Sequence, residues 1–225
     1  MSERVAVVVG AGELGRGTAV ALAGAGFTVV AVDRTLKALD ELPDGIRREA
    51  GDATDPAAAK SVIDRIAAAV GPPEVLVNTI GAFRLGEAAA ATQEDLRVMM
   101  DVNLGAALWL SKAVEPYMRE RGKGSIVHVS ARPGTDPTAG MAAYSLSKAA
   151  LTHLIRILDL ELRPHGIRVN AVAPQLLDTP ANRAMFPAEL LAHATQPEAV
   201  ANVIAFLAGD LAAPVSGAIV PAYGA

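Results

Sequence analysis

The chain contains no cysteine among its 225 residues. A disulfide framework, a thiolate metal site and a cysteine nucleophile are therefore excluded. This composition is compatible with a reducing compartment, and we expect a cytoplasmic protein. The four histidines, at positions 128, 153, 165 and 193, show no ligand spacing such as i, i+4, so no metal site is predicted.

Excess charge and long apolar runs are missing as well. The net charge is −4 and no basic block occurs, which argues against a nucleic-acid partner. Glycine or charge interrupts the apolar runs well before the roughly 20 residues that a membrane span requires. Residues 1–5 lack the layout of a signal peptide and lead directly into a strand pattern. We therefore expect a soluble intracellular protein with no membrane partner.

Internal repeats and low-complexity linkers are also absent, so residues 1–225 are predicted to form one domain. Hydrophobic residues make up 52% of the chain, which is enough to build a large core. Apolar runs such as 5–9, 27–32 and 167–172 indicate strands buried on both faces of a parallel sheet. Their alternation with amphipathic helical patterns predicts a Rossmann-like, doubly wound parallel α/β sheet with helices on both faces.

The segment after the first strand carries G-x-G-x-x-G between a strand and a helix. In this context the first glycine allows a tight turn, the second lets the backbone approach a pyrophosphate, and the third lets helix and strand pack closely. The helix N-terminus can then receive the phosphates of a dinucleotide. The alternative is a glycine-rich turn without a ligand. The predicted cofactor contacts of this loop are Gly10, Gly12, Glu13, Leu14 and Gly15.

Asp33 ends the second strand, about 20 residues beyond the glycines. A carboxylate there can accept hydrogen bonds from the ribose 2′-OH of NAD, and it would repel the 2′-phosphate of NADP. NAD is therefore the predicted cofactor and NADP is disfavoured, although Arg34 follows directly and is able to accommodate a phosphate. The presence of Asp33 also weighs against a ligand-free turn.

Three further polar positions stand out. Asp52, followed by Ala53, comes just after a weaker strand and near the expected place of an adenine ring. Ser130 ends the strand 124–130, at the edge of the sheet where ligands bind in such folds. Asn103 lies inside a predicted helix, 93–121, close to a glycine. An asparagine or a glycine in a helix interior lowers helix stability by up to about 1 kcal/mol. We therefore expect a kink or a functional group at this point of the helix.

Tyr144 and Lys148 lie four residues apart at the start of a long apolar-faced helix, so their side chains project from one face. An ammonium at that distance favours the phenolate and lowers the tyrosine pKa, which is about 10 in water. A phenol tuned toward neutral pH can exchange a proton with a substrate oxygen. On spacing alone, a solvated surface pair is the commoner origin of this pattern.

Together these features resemble the short-chain dehydrogenase/reductase family over nearly the whole chain. The matching motifs, in chain order, are the glycine loop 10–17, Asp33, Asp52, Asn78-x-x-Gly81, Asn103, Tyr144-x-x-x-Lys148, Asn170 and Pro174-x-x-x-x-Thr179. The resemblance implies hydride transfer between a nicotinamide and a carbonyl-type carbon. It implies that Tyr144 is the general acid/base, that Lys148 holds the nicotinamide ribose and lowers the Tyr144 pKa, and that Asn103 positions a water of a proton relay. The further cofactor contacts that it implies are Asn78, Gly81, Tyr144, Lys148, Pro174, Leu177 and Thr179.

Two positions depart from the family pattern. Gly10-Ala11 stands where the family usually has Thr-Gly. The family's serine, which hydrogen-bonds the substrate carbonyl, lies about thirteen residues before the tyrosine, and that position is Ala131. Ser130 is one residue earlier, and successive side chains of a strand point to opposite faces. Ser130 is therefore a catalytic candidate if a bulge re-aims it.

One branch of the family shares this departure. Segments 131–141 and 177–183 are similar to those of dihydropteridine reductase, which also lacks the serine and uses NADH. This likeness implies a pterin-like acceptor reduced at a ring C=N, whereas a working Ser130 would favour an ordinary carbonyl. A flap at about 180–195 would select the substrate.

A non-redox protein on the same fold is the competing hypothesis: an isomerase, a cyclase or a dinucleotide-binding module. The alanine at 131 motivates it, because sites that abandon hydride chemistry can lose catalytic groups. Retention of Tyr144 and Lys148 argues against it.

The two long helices at 92–121 and 143–163 are apolar on more than one face. A helix that is apolar most of the way round is covered on both sides. Because the family commonly pairs these helices across subunits, we expect a homodimer or homotetramer.

Overall fold

Seven parallel strands form one sheet, in the order β3-β2-β1-β4-β5-β6-β7, in a computed structural model that describes residues 3–224. Met1, Ser2 and Ala225, which belong to the predicted 1–225 domain, lie outside the described residues. The strands are β1 Val5–Val9, β2 Thr28–Asp33, β3 Arg47–Ala50, β4 Pro73–Asn78, β5 Gly124–Val129, β6 Ile167–Pro174 and β7 Ile219–Ala222. The prediction of a Rossmann-like parallel sheet is confirmed.

Helices cover both faces of the sheet. They are α1 Glu13–Gly24, α2 Pro56–Ala69, α3 Gln93–Met100, α4 Ala106–Arg121, α5 Ala142–Leu162, α6 Pro180–Met185, α7 Ala188–Leu191 and α8 Pro197–Ala208. In β1, Val5, Val7 and Val9 pack with α2, α4 and α5, whereas Ala6 and Val8 pack with α1 and α8. Both faces of the strand are thus buried, which explains its uninterrupted apolar sequence. Among the described residues, no helix combines the length and apolarity needed to cross a bilayer.

The predicted helix 93–121 is interrupted by a π-helical turn, Asp101–Gly105, between α3 and α4. At the end of this turn the Ala106 N–H bonds the carbonyl of Asp101, five residues back. Such turns insert a residue into a helix and frequently mark functional sites. The low helix propensity of asparagine and glycine at these positions therefore indicated a real break in the regular α-helical hydrogen bonding.

The crevice for a ligand lies where the winding of the sheet reverses. β1 to β3 run toward one edge of the sheet, and β4 returns to pair with the other side of β1. The Thr79 N–H, just beyond β4, donates to the carbonyl of Val9 at 2.9 Å, so the ends of these two strands stay together. In open α/β sheets ligands bind outside the carboxyl ends of the strands at such a switch point.

The sequence of residues 216–220 predicts a last strand there, but β7 begins only at Ile219. Ser216 hydrogen-bonds the buried carboxylate of Asp159, and the Gly217 N–H donates to the carbonyl of Val169 at 2.8 Å. These two residues tie the loop to α5 and β6, so regular pairing starts only at Ile219.

Candidate active site

The glycine loop between β1 and α1 has the tight conformation that its sequence predicts. Gly10 has φ +103°, a region that favours glycine, and a Cβ there would lie 2.5 Å from Thr79 Oγ1. A Cβ on Gly15 would overlap the carbonyl of Gly10, so close packing of α1 on β1 requires this glycine. A Cβ on Gly12 would meet nothing within 4 Å, and the backbone at this residue therefore borders open space.

The N-terminus of α1 and the carboxylate of Asp33 border the same space. Gly12 is the N-cap of α1 and no side chain caps the helix, so the first N–H groups are available to an anion. Asp33 Oδ2 accepts from the Ala11 N–H at 2.8 Å and Oδ1 accepts from the Arg34 N–H at 2.7 Å. Each oxygen retains a lone pair for a ribose hydroxyl. These groups fit a dinucleotide.

Other predicted cofactor positions are already in contact with groups of the protein. Asp52 Oδ1 accepts from the N–H and the hydroxyl of Thr54 at 2.9 and 2.6 Å, and these bonds keep the pKa of Asp52 below its ordinary value. Ala53 is buried beside it. Glu13 lies in the first turn of α1, where its carboxylate pairs with Arg16 at 3.2 Å. The side chain of Glu13 is therefore committed to a surface ion pair.

Asn78 and Asn103 shape the turn that follows β4. The buried Asn78 accepts through Oδ1 from the backbone N–H two residues on, at 3.0 Å, and the chain then turns so that Gly81 borders the cleft. Asn103 accepts from the N–H of Ala82 at 2.9 Å and donates to its carbonyl at 3.0 Å and to Ser147 Oγ at 2.9 Å. Both amide hydrogens of Asn103 are thus used by the protein. The implied positioning of a water by this residue stays a prediction.

Tyr144 and Lys148 lie on the face of α5 that lines the cleft. Lys148 is buried, its Nζ donates to the carbonyl of Val129 at 2.8 Å, and it lies 6.0 Å from the centre of the Tyr144 ring. Burial lowers the pKa of Lys148 to about 8 and raises the pKa of Tyr144 to about 12. The expected lowering of the Tyr144 pKa is therefore wrong for the protein alone, because burial outweighs an ammonium that is turned toward a carbonyl.

Ser130 borders the cleft, but its hydroxyl is turned toward α5. Ser130 Oγ lies 2.9 Å from Thr152 Oγ1 and 3.5 Å from the carbonyl of Lys148. The backbone of Ala131 is extended, with φ −161° and ψ 159°, so side chains continue to alternate and no bulge re-aims Ser130. In this arrangement the Ser130 hydroxyl is bonded on the α5 side, so its catalytic role stays a prediction, and the residue at the family's serine position is Ala131.

The other wall of the cleft comes from the segment after β6. Pro174 ends the strand and Leu177 lines the cleft. Thr179 Oγ1 accepts from the N–H of Asn182 at 3.2 Å and caps α6. The predicted flap, 180–195, contains the short helices α6 and α7.

Two phenylalanines that sequence reasoning missed join the flap to the catalytic candidate in a cleft of about 650 Å³. The ring of Phe83 packs edge-to-face on Tyr144, with centroids 4.9 Å apart and an interplanar angle of 79°. Its other contact is with Phe186 on the flap, at 5.9 Å. The sequence did contain a signal for Phe83. Phenylalanine is rare in this chain, with four in all, and Phe83 lies shortly after the end of β4, where ligands bind in such folds.

A polar rim formed by Arg132 and Gln175 was also missed. Arg132 Nη1 donates to Gln175 Oε1 at 2.8 Å, and its Nε lies 3.4 Å from Asp136. The guanidinium also stacks over the ring of Tyr223, 5.1 Å from its centroid. Gln175 directly follows the end of β6, and Arg132 comes three residues after the end of β5, which was the available signal. Within residues 3–224, no three histidine or carboxylate side chains are grouped as metal ligands.

Fold and site together define a nicotinamide-dependent dehydrogenase or reductase. Residues 4–190 match the short chain dehydrogenase family, and the chain belongs to it. It is 36% identical to galactitol 2-dehydrogenase of Rhizobium johnstonii, over 97% of this chain and 92% of that protein. It is 34% identical to mouse L-xylulose reductase, over 100% and 96%. The crystal structure of gox2181 has a TM-score of 0.91 at 30% identity, covering 98% and 94%.

Family membership makes this chain an NAD(P)-dependent oxidoreductase. The non-redox alternative is not favoured.

Proposed function

We propose that this enzyme uses NADH to reduce a carbonyl or ring C=N acceptor, with Tyr144 as the general acid. The observation that carries the proposal is that Tyr144 and Lys148 line one cleft with the end of the glycine loop, at Leu14. A bound nicotinamide would supply the hydride. The protein's own groups hold the acceptor, deliver the proton and exclude water.

The proton comes from Tyr144. Burial raises the pKa of Tyr144 to about 12, so the phenol keeps its proton at neutral pH, as a general acid must. Burial also lowers the pKa of Lys148 to about 8, which leaves the ammonium mostly charged at pH 7. That charge stabilises the phenolate once the proton has been transferred.

The preference for NADH rests on Asp33 beside the open glycine loop. NADH and NADPH titrated side by side into the purified protein, followed by cofactor fluorescence, should give tighter binding of NADH. Replacing Asp33 by serine should reduce that preference, because it removes the repulsion of a 2′-phosphate. A preference of the unmodified protein for NADPH would mean that Arg34 outweighs Asp33, and it would refute this part of the proposal.

The acceptor that we favour is a planar ring with a C=N bond, such as a quinonoid pterin. An aromatic wall of Phe83 and Phe186 suits a flat ring, and the methyl of Ala131 offers no hydroxyl to a ketone. The second candidate is a ketose or secondary alcohol, since two relatives are named for galactitol and L-xylulose. NADH consumption with a panel of quinonoid dihydropterin and ketoses distinguishes the two, and failure of every acceptor would refute the assigned reaction.

The role of Tyr144 is tested by Tyr144→Phe. Loss of the general acid should lower kcat by about 10²- to 10⁴-fold while NADH binding is retained. Tyr117→Phe is the matched control, because the Tyr117 hydroxyl bonds Asp64 at 2.9 Å away from the cleft. Full turnover by Tyr144→Phe would overturn the mechanism.

We also propose a cytoplasmic homodimer or homotetramer. The outer face of α5 carries Leu146, Ile157 and Leu160, which are 59%, 40% and 70% exposed. An apolar stripe of this kind on a long helix is typical of a protein–protein contact. Light scattering should report an oligomer that Leu160→Glu weakens, and a monomer at micromolar concentration would contradict it.

A further inference from the structure

The substrate cleft lacks the hydroxyl that would hold an acceptor atom opposite Tyr144. The side chain of Ala131 carries no donor, and the Ser130 hydroxyl is bonded within the interface with α5. A phenol alone would leave the acceptor held at one point, whereas proton transfer requires an aligned geometry. Another donor must therefore reach the acceptor atom if the reaction is to be well oriented.

Several polar side chains of the cleft are already committed to the backbone. Thr79 donates to the carbonyl of Val9 at 3.0 Å, and Thr138 donates to the carbonyl of Asp136 at 3.3 Å. The amide of Asn182 donates to a backbone carbonyl at 2.8 Å. These groups anchor loops and are not free to turn toward a ligand without breaking a bond.

Gln175 differs from these residues. Its Oε1 accepts from Arg132 Nη1 at 2.8 Å, which fixes the orientation of the amide. Its NH₂ group makes no hydrogen bond within residues 3–224, and the residue lines the cleft at its exposed rim. An oriented amide with its donor end unoccupied is suited to hold an oxygen or nitrogen acceptor.

The ends of β5 and β6 bring Gln175 next to Arg132, one residue beyond the vacant serine position. β5 and β6 pair in parallel, with Val129 opposite Val172, and the Ser130 N–H donates to the carbonyl of Val172 at 2.8 Å. Continued beyond the strands, this register sets Ala131 opposite Pro174 and Arg132 opposite Gln175, so Gln175 lies on the neighbouring strand end, offset by one residue from Ala131. His193 also lines the cleft, but it lies after α7 on the flap and is held less directly by the sheet.

We infer that the Gln175 amide donates a hydrogen bond to the reacting oxygen or nitrogen of the acceptor, in place of the serine that the site lacks. Arg132 acts through Gln175 as a positioning residue: it holds Oε1 and so presents the NH₂ group. The inference rests on the proposed reductase function and adds to it a residue that determines which acceptors are accepted. A donor at this position favours acceptors whose double bond to be reduced includes an oxygen or nitrogen with a lone pair.

The test uses the acceptor that the panel identifies. Gln175→Ala should lower kcat on the order of 100-fold, the usual cost of a lost donor to a developing charge, with the NADH dissociation constant unchanged. Gln93→Ala, a glutamine exposed on α3, is the matched control and should leave turnover unchanged. Arg132→Ala should cost less than Gln175→Ala, and adding it to Gln175→Ala should cost little more, because both act through one amide.

A rescue variant separates a catalytic loss from a structural one. Ala131→Ser in the Gln175→Ala background should restore activity at least tenfold, since it returns a donor from the neighbouring strand end. Full activity of Gln175→Ala, or a loss confined to His193→Ala, would overturn the inference while leaving the proposed function intact. Full activity of Tyr144→Phe, or no reduction of any acceptor by the unmodified enzyme, would refute the proposed function and this inference together.

Discussion

Asn103 and Ser147 are joined by a buried hydrogen bond, from Nδ2 to Oγ at 2.9 Å, that connects the π-helical turn to the first turns of α5. Ser147 in turn donates to the carbonyl of Tyr144 at 2.7 Å. The break in the long helix is thus linked to the backbone of the catalytic candidate. The same asparagine holds both backbone groups of Ala82, so it fixes two walls of the cleft at once.

Asn103→Ala should lower the free energy of unfolding by about 1–3 kcal/mol, because it leaves buried polar groups without partners. Urea denaturation measures this loss. Ser147→Ala is the comparison, and it should cost less because it removes one acceptor and leaves the Ala82 contacts in place. An Asn103→Ala protein as stable as the original would show that this link does not stabilise the fold.

Two glycines of the same loop should behave in opposite ways. Gly15→Ala should destabilise the protein by about 1–3 kcal/mol or more, since its Cβ would overlap the Gly10 carbonyl. Gly12→Ala should cost no more than about 1 kcal/mol at an N-cap yet weaken NADH binding, because the methyl enters the open space beside α1. Thermal unfolding and cofactor titration measure the two effects. Equal NADH affinity in Gly12→Ala would refute the cofactor position.

Ser130→Ala should leave kcat/KM nearly unchanged, because its hydroxyl bonds Thr152 and not the cleft. The free energy of unfolding should fall by about 1 kcal/mol, as expected for one buried hydrogen bond. Steady-state kinetics and urea denaturation of the same variant separate these effects. A large loss of kcat at normal stability would return Ser130 to the catalytic group.

The buried ammonium of Lys148 should make stability depend on alkaline pH. Burial lowers its pKa from 10.5 to about 8, so between pH 8 and 10.5 the unfolded chain binds the proton and the folded chain has lost it. The free energy of unfolding therefore rises with pH in this window. The full rise is about 3 kcal/mol at most.

Denaturation of the protein without added cofactor, from pH 7.5 to 9.5, measures the effect before the tyrosines titrate. Lys148→Met should abolish the rise, whereas Lys112→Met, at an exposed position of α4, should keep it. Identical pH dependence in the original protein and Lys148→Met would contradict the burial of a charged lysine.

Local patterns predicted the fold well, because its central strands are short and buried on both faces. Apolar runs such as 5–9 carry the same information in sequence and structure, and the glycine loop needs only nearest-neighbour geometry. The predicted start of β7 was wrong because Ser216 and Gly217 hydrogen-bond Asp159 and Val169, which are distant in sequence. No local pattern contains those contacts.

The site was predicted less completely, for the same physical reason. Spacing along α5 predicted that Tyr144 and Lys148 share a face, but the direction of their pKa shifts depends on burial that the helix alone does not define. Alternation along β5 anticipated that Ser130 would turn away. Phe83, Phe186 and Gln175 come from three separate loops, and only the folded sheet brings them together.

The ring of Phe83 contacts both the Tyr144 ring and Phe186 of the flap. Here any exchange at Phe186 also changes what supports the ring beside the phenol. We therefore expect substitutions at Phe186 to change the surroundings of the Tyr144 phenol together with the flap, and a flap grafted from a relative would need a matching residue at position 83.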